Sequence, residues 1–573
     1  MYIVRIPNRK SPPAILLREA YREDGKVKNR TLLNLSDWPD ERVSQFALLL
    51  HGNKLVPVES HLRIIRSLPH GHVAAVSGVM HDLGIAAIIG GADARRRALV
   101  EAMICSRVIS PASKLATARS FASPLAETTL SEEFGVADAS EDELYAAMDW
   151  LLERQPAIEA KLASRHLVEG GLVLYDLSAV HYDGSTCPLA LIGHCRDGFP
   201  GKRQIEFGLM CDSEGRPIAV EVYAGNTGDP TTVSDQVSKV KSCFGLERVV
   251  VVGDRGMLTE ARIRSDIEPA KLDWISSLRS TDIRKLVASG GFQPSLFDKQ
   301  DMAEITHPDF PGERLILCRN PLLEDERTRK RNELLAATEK KLVPIVTAVS
   351  RKRRPLRGEA AIGVRVGKVL NAYKVGKHFD FAVGNNSFTF SRKEDKIRNE
   401  AALDGLYVVR TSLKAEVMPA EKVVSSYKSL STVERAFRCA KHLDIKIHPV
   451  AHRLEDRVRA HVFLCMLAYY VEWHMRERLA PSLFHDDAKA EAEQGRKSPV
   501  AKAERSLKAK KKDNTKVDAE ERPVVCFKGA MRQLATIARN TLIFDNDSGT
   551  KTIQLTEPTA FQSHLLGLLG VSL

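Results

Sequence analysis

Three carboxylates stand where metal-assisted chemistry on a phosphodiester needs them. The apolar run Leu172-Val173-Leu174-Tyr175 delivers Asp176, and Val249-Val250-Val251-Val252 delivers Gly253-Asp254-Arg255-Gly256. Glu434 lies far downstream on a strongly amphipathic stretch. A carboxylate in or at the end of a buried strand is costly unless something compensates it. Three converging carboxylates are compensated best by divalent metal, and two such ions drive phosphoryl transfer by stabilising both the entering and the leaving oxygen. Mg²⁺ suits such a site because it prefers hard oxygen ligands. Ser178 stands two residues after Asp176, but no Ser-His-Asp arrangement or nucleophile elbow accompanies it.

The pattern that must position these acids begins at 171. It reads as strands at 172–180, 203–211 and 217–223, a helix at 232–243, a strand at 248–253, a helix at 258–265 and a strand at 272–278. This β-β-β-α-β-α-β order predicts an α/β chain with a ribonuclease-H-like catalytic core, a mixed sheet with helices on both faces. The core is expected over 171–280 and 401–480. Between them, 281–400 reads as an inserted β-rich domain, with a charged helix at 328–350 and strands at 360–370, 371–383 and 387–392. Its run Arg351-Lys352-Arg353-Arg354 reads equally as a DNA-backbone contact or a solvated stretch.

Upstream, 1–50 reads as a β-rich segment, with Asp24-Gly25 between two strand patterns as a hairpin signal. Residues 58–166 read as helical, and Arg95-Arg96-Arg97 and the span 107–119 add positive charge. That module is a candidate DNA-binding domain or, equally, a helical packing domain. Downstream, 485–521 is rich in Ala, Lys and Glu and reads as a flexible basic linker or exposed helix. A folded C-terminal segment is expected over 523–573.

Composition agrees with a nucleic-acid partner. The chain has 573 residues and a formal net charge of +12, and a basic balance of this size suits a polyanion. The nine cysteines form no C-x-x-C pair, which argues against a zinc ribbon and for reduced thiols in a cytosol. No signal-peptide apolar region and no run of eighteen apolar residues is present, so an intracellular protein with no membrane partner is expected.

In the stretch 425–443, Tyr427, Glu434, Arg438 and Lys441 gather on one helical face, while Val433, Ala436, Phe437 and Ala440 gather opposite. Taken alone, this is an ordinary amphipathic helix. The spacing Tyr427-x2-Leu430-x3-Glu434-x6-Lys441, however, resembles the signature Y-x2-R-x3-E-x6-K of DDE transposases of bacterial insertion-sequence family four and its sixteen-thirty-four branch. Leu174-Tyr175-Asp176-Leu177-Ser178 and Val251-Val252-Gly253-Asp254-Arg255-Gly256-Met257 resemble its first two acidic motifs. Gly225-Asn226-Thr227-Gly228-Asp229-Pro230 resembles its turn after the third strand, and the segments 448–453 and 459–461 resemble the family's stretch downstream of the third acid. The resemblance covers about 170 to 480 and departs at Leu430, which cannot make the bidentate phosphate contact of an Arg; Arg435 and Arg438 are candidate replacements.

The resemblance implies an enzyme that cuts insertion-sequence ends and joins them to target DNA. Asp176, Asp254 and Glu434 would be the catalytic and metal-ligating residues, and Tyr427, Arg438 and Lys441 would bind DNA. It further implies two Mg²⁺ ions (Mn²⁺ substituting), double-stranded DNA ends and target as partners, a homodimer on DNA, and a cytoplasmic, nucleoid-associated location. Two rivals remain: a ribonuclease-H-like nuclease without strand transfer, and a DNA-binding protein with a decayed site. His181, Asp183, the run 194–197, His452 and His461 read first as structural residues.

Overall fold

The computed structural model describes residues 1–8, 11–52, 62–195, 198–289, 301–494, 498, 500, 504–544 and 551–573. Two units are distinguished, one formed by Met1–Leu68 with Ala538–Glu557, the other by Pro69–Ile537 with Pro558–Leu573.

In the first unit, β1 (Tyr2–Ile6), β2 (Ala14–Glu23) and β3 (Lys26–Asn34) form an antiparallel sheet, and a helix spans Asp40–Leu50. Asp24 and Gly25 both take positive φ, 51° and 76°, as the two-residue turn between β2 and β3 requires. Ile15, Leu17, Leu35 and Val43 form its small core. A second sheet pairs β4 (Leu62–Pro69) with two strands from the end of the chain.

The second unit opens with helices from Gly71 to His166. Two of the cations expected to offer positive charge here are buried instead. Arg107 is 3% exposed and donates to the carbonyls of Lys446 and Ala112; Lys114 is 4% exposed, and burial lowers its pKa to about 7. Their stems pack in the helical core, so on this face charge density in the sequence overstates charge on the surface.

The large sheet comprises β5 (Leu172–His181), β6 (Gln204–Cys211), β7 (Pro217–Ala224), β8 (Val250–Val252), β9 (Asp273–Ser277), β10 (Met302–Ile305), β11 (Arg314–Arg319) and β14 (Leu406–Thr411), in the order β10-β11-β14-β9-β8-β5-β6-β7. β5, β8 and β9 run parallel, and the remaining pairs are antiparallel. β8 is buried throughout, as an all-apolar strand flanked by parallel neighbours should be. The two helices between β7 and β9 are α-helical only at first, over Val233–Ser238 and Glu260–Arg262, and finish as π-turns over Lys239–Cys243 and Ile263–Ile267.

The span expected as a β-rich insertion differs. β10 and β11 extend the main sheet. The rest is mostly helical: Pro321–Ser350, Glu359–Tyr373 and Glu394–Ala401 surround one hairpin, β12 (Phe379–Val383) with β13 (Phe388–Arg392). The expected strand at 360–370 is a helix because Ile362 and Val366 recur at helical spacing and pack on Leu342, Ile345 and Val349 of the long helix. That burial outweighs the β-propensity of Ile and Val.

Where it is described, the stretch expected as a flexible linker or exposed helix includes a helix that is mostly exposed, with Ala509 and Lys512 buried. A helix spans Leu507–Thr515, and Lys512 is 2% exposed, donating to the carbonyls of Ala480 and His485 and to Asp487. The C-terminal segment contains helices Phe527–Ala535 and Ala560–Leu569, with β15 (Ala538–Phe544) and β16 (Lys551–Leu555) between them; β15 joins β16 to β4. Among the described residues, no helix is long and apolar enough to cross a membrane, and none of the nine cysteines forms a disulfide.

Candidate active site

Asp176 sits in mid-β5, half-buried, with its neighbours Tyr175 and Leu177 buried toward the opposite face. The β5–β8 register pairs Leu172, Val173 and Leu174 with Val250, Val251 and Val252. Continued by two residues, it brings Asp176 level with Asp254. Asp254 lies in the turn after β8, where its Oδ1 accepts the N–H groups of Gly256 at 2.9 Å and Met257 at 2.8 Å. Those bonds fix one carboxylate oxygen and leave the other for a ligand.

The helix Leu430–Arg438 carries Glu434. It packs against β5 and β6, with Phe437 edge-on to Phe207 at 5.2 Å between ring centroids. β6 pairs Leu209 with Asp176 and Phe207 with Ser178. Directly paired residues share a face of a sheet, so this helix covers the face toward which Asp176 projects. Val433, Ala436 and Phe437 are buried against it, and Glu434, Arg435 and Arg438 are exposed. The same helix meets the β6–β7 turn, where a side chain at Gly215 would lie 2.7 Å from Thr432.

Tyr427 ties the parts together. It belongs to a separate helix, Ala420–Lys428, and its hydroxyl bonds Ser277 of β9 at 2.7 Å. Burial raises its pKa, the Ser277 bond opposes this, and the charges of Asp254 and Asp176 raise it further. One phenol hydroxyl therefore senses both acids at once.

The exposed stripe expected from Tyr427 to Lys441 is corrected at its far end. The helix is interrupted at Ser429, between Ala420–Lys428 and Leu430–Arg438, and Cys439–Leu443 is a π-turn, so a constant helical phase does not hold. Lys441 is 6% exposed, with its ammonium 5.9 Å from the centre of the Phe207 ring. Leu430 is half-buried against the core.

Asp229 is a neighbour of the site that sequence reasoning misses. A side chain at Gly256 would stand 3.3 Å from Asp254 Oδ1 and 3.7 Å from Asp229 Oδ2, so a fourth carboxylate borders the Asp254 turn. The only signal for it is its place in the Gly225–Pro230 turn. On the other side, a cavity of about 400 Å³ is lined by Arg255, Ser277, Arg279, Lys285, Phe310 and Arg410. Arg410 pairs with Glu313 and lies over Trp274.

The histidines divide. His452 is half-buried and His461 buried, with 4.9 Å between their ring centroids. Burial lowers the pKa of the first to about 4 and of the second well below the ordinary value, with Arg107 and Lys114 adding to the effect. His461 Nε2 bonds the Ile447 carbonyl at 2.7 Å. His181 and Asp183 instead adjoin His448 at the end of β5. Arg196 and Asp197 lie outside the described residues.

All the donors at the acidic cluster are carboxylate oxygens, the ligand type that hard divalent cations take. Residues 194–471 match the family model described as Transposase DDE domain, and residues 3–56 match the model described as IS1634 family transposase, N-terminal domain. Asp254 and Glu434 fall inside the first match, and Asp176 lies just upstream of it. No curated protein matches the chain. Among solved structures, the cryo-EM structure of a piggyBac transposase synaptic complex with hairpin DNA aligns with 70% of this chain and 72% of its own at 9% identity, with a TM-score of 0.32. A TM-score of that size does not establish a common fold.

Proposed function

Because the chain belongs to the DDE transposases of the IS1634 family, we propose that Asp176, Asp254 and Glu434 are the acids of its metal-dependent DNA cleavage and strand-transfer site. The chain is a DNA transposase. The observation that carries the residue assignment is the β5–β8 register, which aligns Asp176 with Asp254 beneath the helix bearing Glu434. The order β7-β6-β5-β8-β9, with β5, β8 and β9 parallel, supports a ribonuclease-H-like core.

The three acids would hold two divalent ions, with Mg²⁺ the natural choice for an all-oxygen donor set and Mn²⁺ able to substitute. Bound there, the ions would supply Lewis acidity to the entering and leaving oxygens of an in-line displacement at phosphorus. The chain's own residues orient the substrate. The Gly256 and Met257 amides fix the rotamer of Asp254. Tyr427, held by Ser277, presents its hydroxyl beside two acids and donates to a phosphate oxygen. Exposed Arg438, with Arg435, stands in for the arginine absent at 430. The cavity cations Arg255, Arg279 and Lys285 line an approach for DNA backbone. DNA ends and target are the substrates, and a homodimer holding two ends is the working form, on chromosomal DNA in the nucleoid.

The test is an assay with labelled duplexes carrying the element's terminal repeats and Mg²⁺. Joined products support the reading. Nicked ends that never join favour the nuclease, and binding with no nicking in Mg²⁺ or Mn²⁺ favours a decayed site.

The DNA contacts separate by salt dependence. Arg438→Ala is expected to lower the slope of log K against log salt by about one. Lys441→Ala is expected to leave the slope unchanged and to cost about 1–3 kcal/mol of stability, because the side chain is buried with its ammonium over the Phe207 ring. A reduced slope for Lys441→Ala would restore it as a phosphate contact.

A further inference from the structure

Beyond the acidic cluster, a second group of ligating side chains gathers at the far end of β5. His181 ends that strand, Asp183 lies two residues beyond it, and His448 lies in the segment after the Glu434 helix. Nε2 of His181 is 3.5 Å from Oδ1 of Asp183, and Nδ1 of His448 is 2.9 Å from Oδ2. The two imidazole rings lie face to face, 3.9 Å between centroids and 30° apart. One donor atom from each residue lies within 4.8 Å of the others. The three side chains are 18%, 33% and 22% exposed, so the cluster is sheltered yet reachable.

The surrounding backbone is stitched rigidly. Asp183 N–H donates to the Val450 carbonyl and Val450 N–H to Asp183 Oδ2, both at 2.8 Å. The Tyr182 hydroxyl donates to the His452 carbonyl at 3.0 Å. Phe199 closes the outer side, 4.6 Å from the His181 ring. The remaining ring nitrogen of His448, Nε2, is buried without a hydrogen-bond partner among the described residues.

We propose that His181, Asp183 and His448 form a binding site for one borderline-soft divalent cation, Zn²⁺ or a first-row neighbour, separate from the acidic cluster. Two imidazoles and one carboxylate are the donor set such ions take, with a fourth position for water. An ion about 2.0–2.2 Å from each donor in a tetrahedral arrangement sets the donors roughly 3.4 Å apart. The 3.5 Å from His181 Nε2 to Asp183 Oδ1 is already close to that value, and His448 Nδ1 lies 2.9 Å from the other oxygen of the same carboxylate. The ion would pin the segment behind Glu434 to the strand of Asp176, and so hold two acids of the other site in register. By contrast, Cys439, Asp444 and Glu472 also cluster, but Arg476 already neutralises two of them, at 2.5 Å from Asp444 and 2.6 Å from Glu472.

The experiment uses the full chain, stripped with chelator and desalted, without DNA. Co²⁺ is the spectroscopic probe and Zn²⁺ the stabilising one, both added over excess Mg²⁺ to occupy hard oxygen sites. Expected are one equivalent of Co²⁺ with visible d–d bands and a rise in Tm with Zn²⁺. Both should persist in Glu434→Gln. His448→Phe keeps the ring volume against His181. It should match the wild-type Tm in chelator while losing the bands and weakening Zn²⁺ about tenfold or more. His181→Asn should do likewise. Absence of Co²⁺ binding to the wild type, bands that survive in His448→Phe, or bands abolished by Glu434→Gln would each overturn the proposal.

Discussion

Replacing Asp176 by Asn is expected to cut end cleavage by about 10³-fold or more while DNA affinity stays within about twofold. The amide is isosteric but carries no charge for a divalent ion. The lost charge stabilisation is several kcal/mol, and each 1.36 kcal/mol is about tenfold in rate. In the proposed reading affinity is spared, because phosphate would be gripped by exposed Arg438 and the cavity cations and not by Asp176. Stability should hold or rise. Asp176 is half-buried beside Asp254, both near the Tyr427 hydroxyl, and removing one negative charge relieves repulsion there. Gel shift, single-turnover cleavage and a melting curve check the three parts. Equal losses of binding and cleavage would take Asp176 out of the ion-holding role.

Much of this was legible because strand signals and acids coincide. The strands at 172–180, 203–211, 217–223, 248–253 and 272–278 correspond to β5, β6, β7, β8 and β9 within a few residues. β8 is wholly apolar and β5, β6 and β7 are mostly apolar stretches with few polar residues, which leaves a buried sheet little choice of register. What escaped the sequence depended on tertiary partners. Ile362 and Val366 favour a strand until the long helix offers them a groove. Lys512 reads as solvated until Asp487 and two carbonyls are seen to receive its ammonium. Lys441 fails for a local reason, since a π-turn and the helix interruption at Ser429 carry no composition signal. Asp229 escaped because its closeness to Asp254 passes through the bare Cα of Gly256.

The largest stability loss is expected from Arg476→Met, which keeps most of the side-chain bulk and removes the charge. Arg476 bonds Glu472 at 2.6 Å and Asp444 at 2.5 Å, and Cys439 Sγ donates to Glu472 at 3.1 Å. Glu472 is fully buried, and desolvation pushes its pKa up to about 7 even with the guanidinium beside it. Taking away the cation leaves buried carboxylates uncompensated, a loss of about 3–5 kcal/mol. A folded-state pKa above the unfolded 4.5 means that this carboxyl's contribution is full below 4.5 and is lost as pH rises through about 7. In the variant the pKa climbs further, so its deficit against wild type should shrink as the solution is made mildly acidic. Cys439 and Asp444 bracket the π-turn that ends the Glu434 helix, while Glu472 and Arg476 lie on the helix Glu455–Arg478. The same substitution therefore loosens the anchor of the third acid, and cleavage should fall with stability. Melting curves across pH provide the check: a deficit that stays constant or widens on acidification would show that Glu472 is not the group left unpaired.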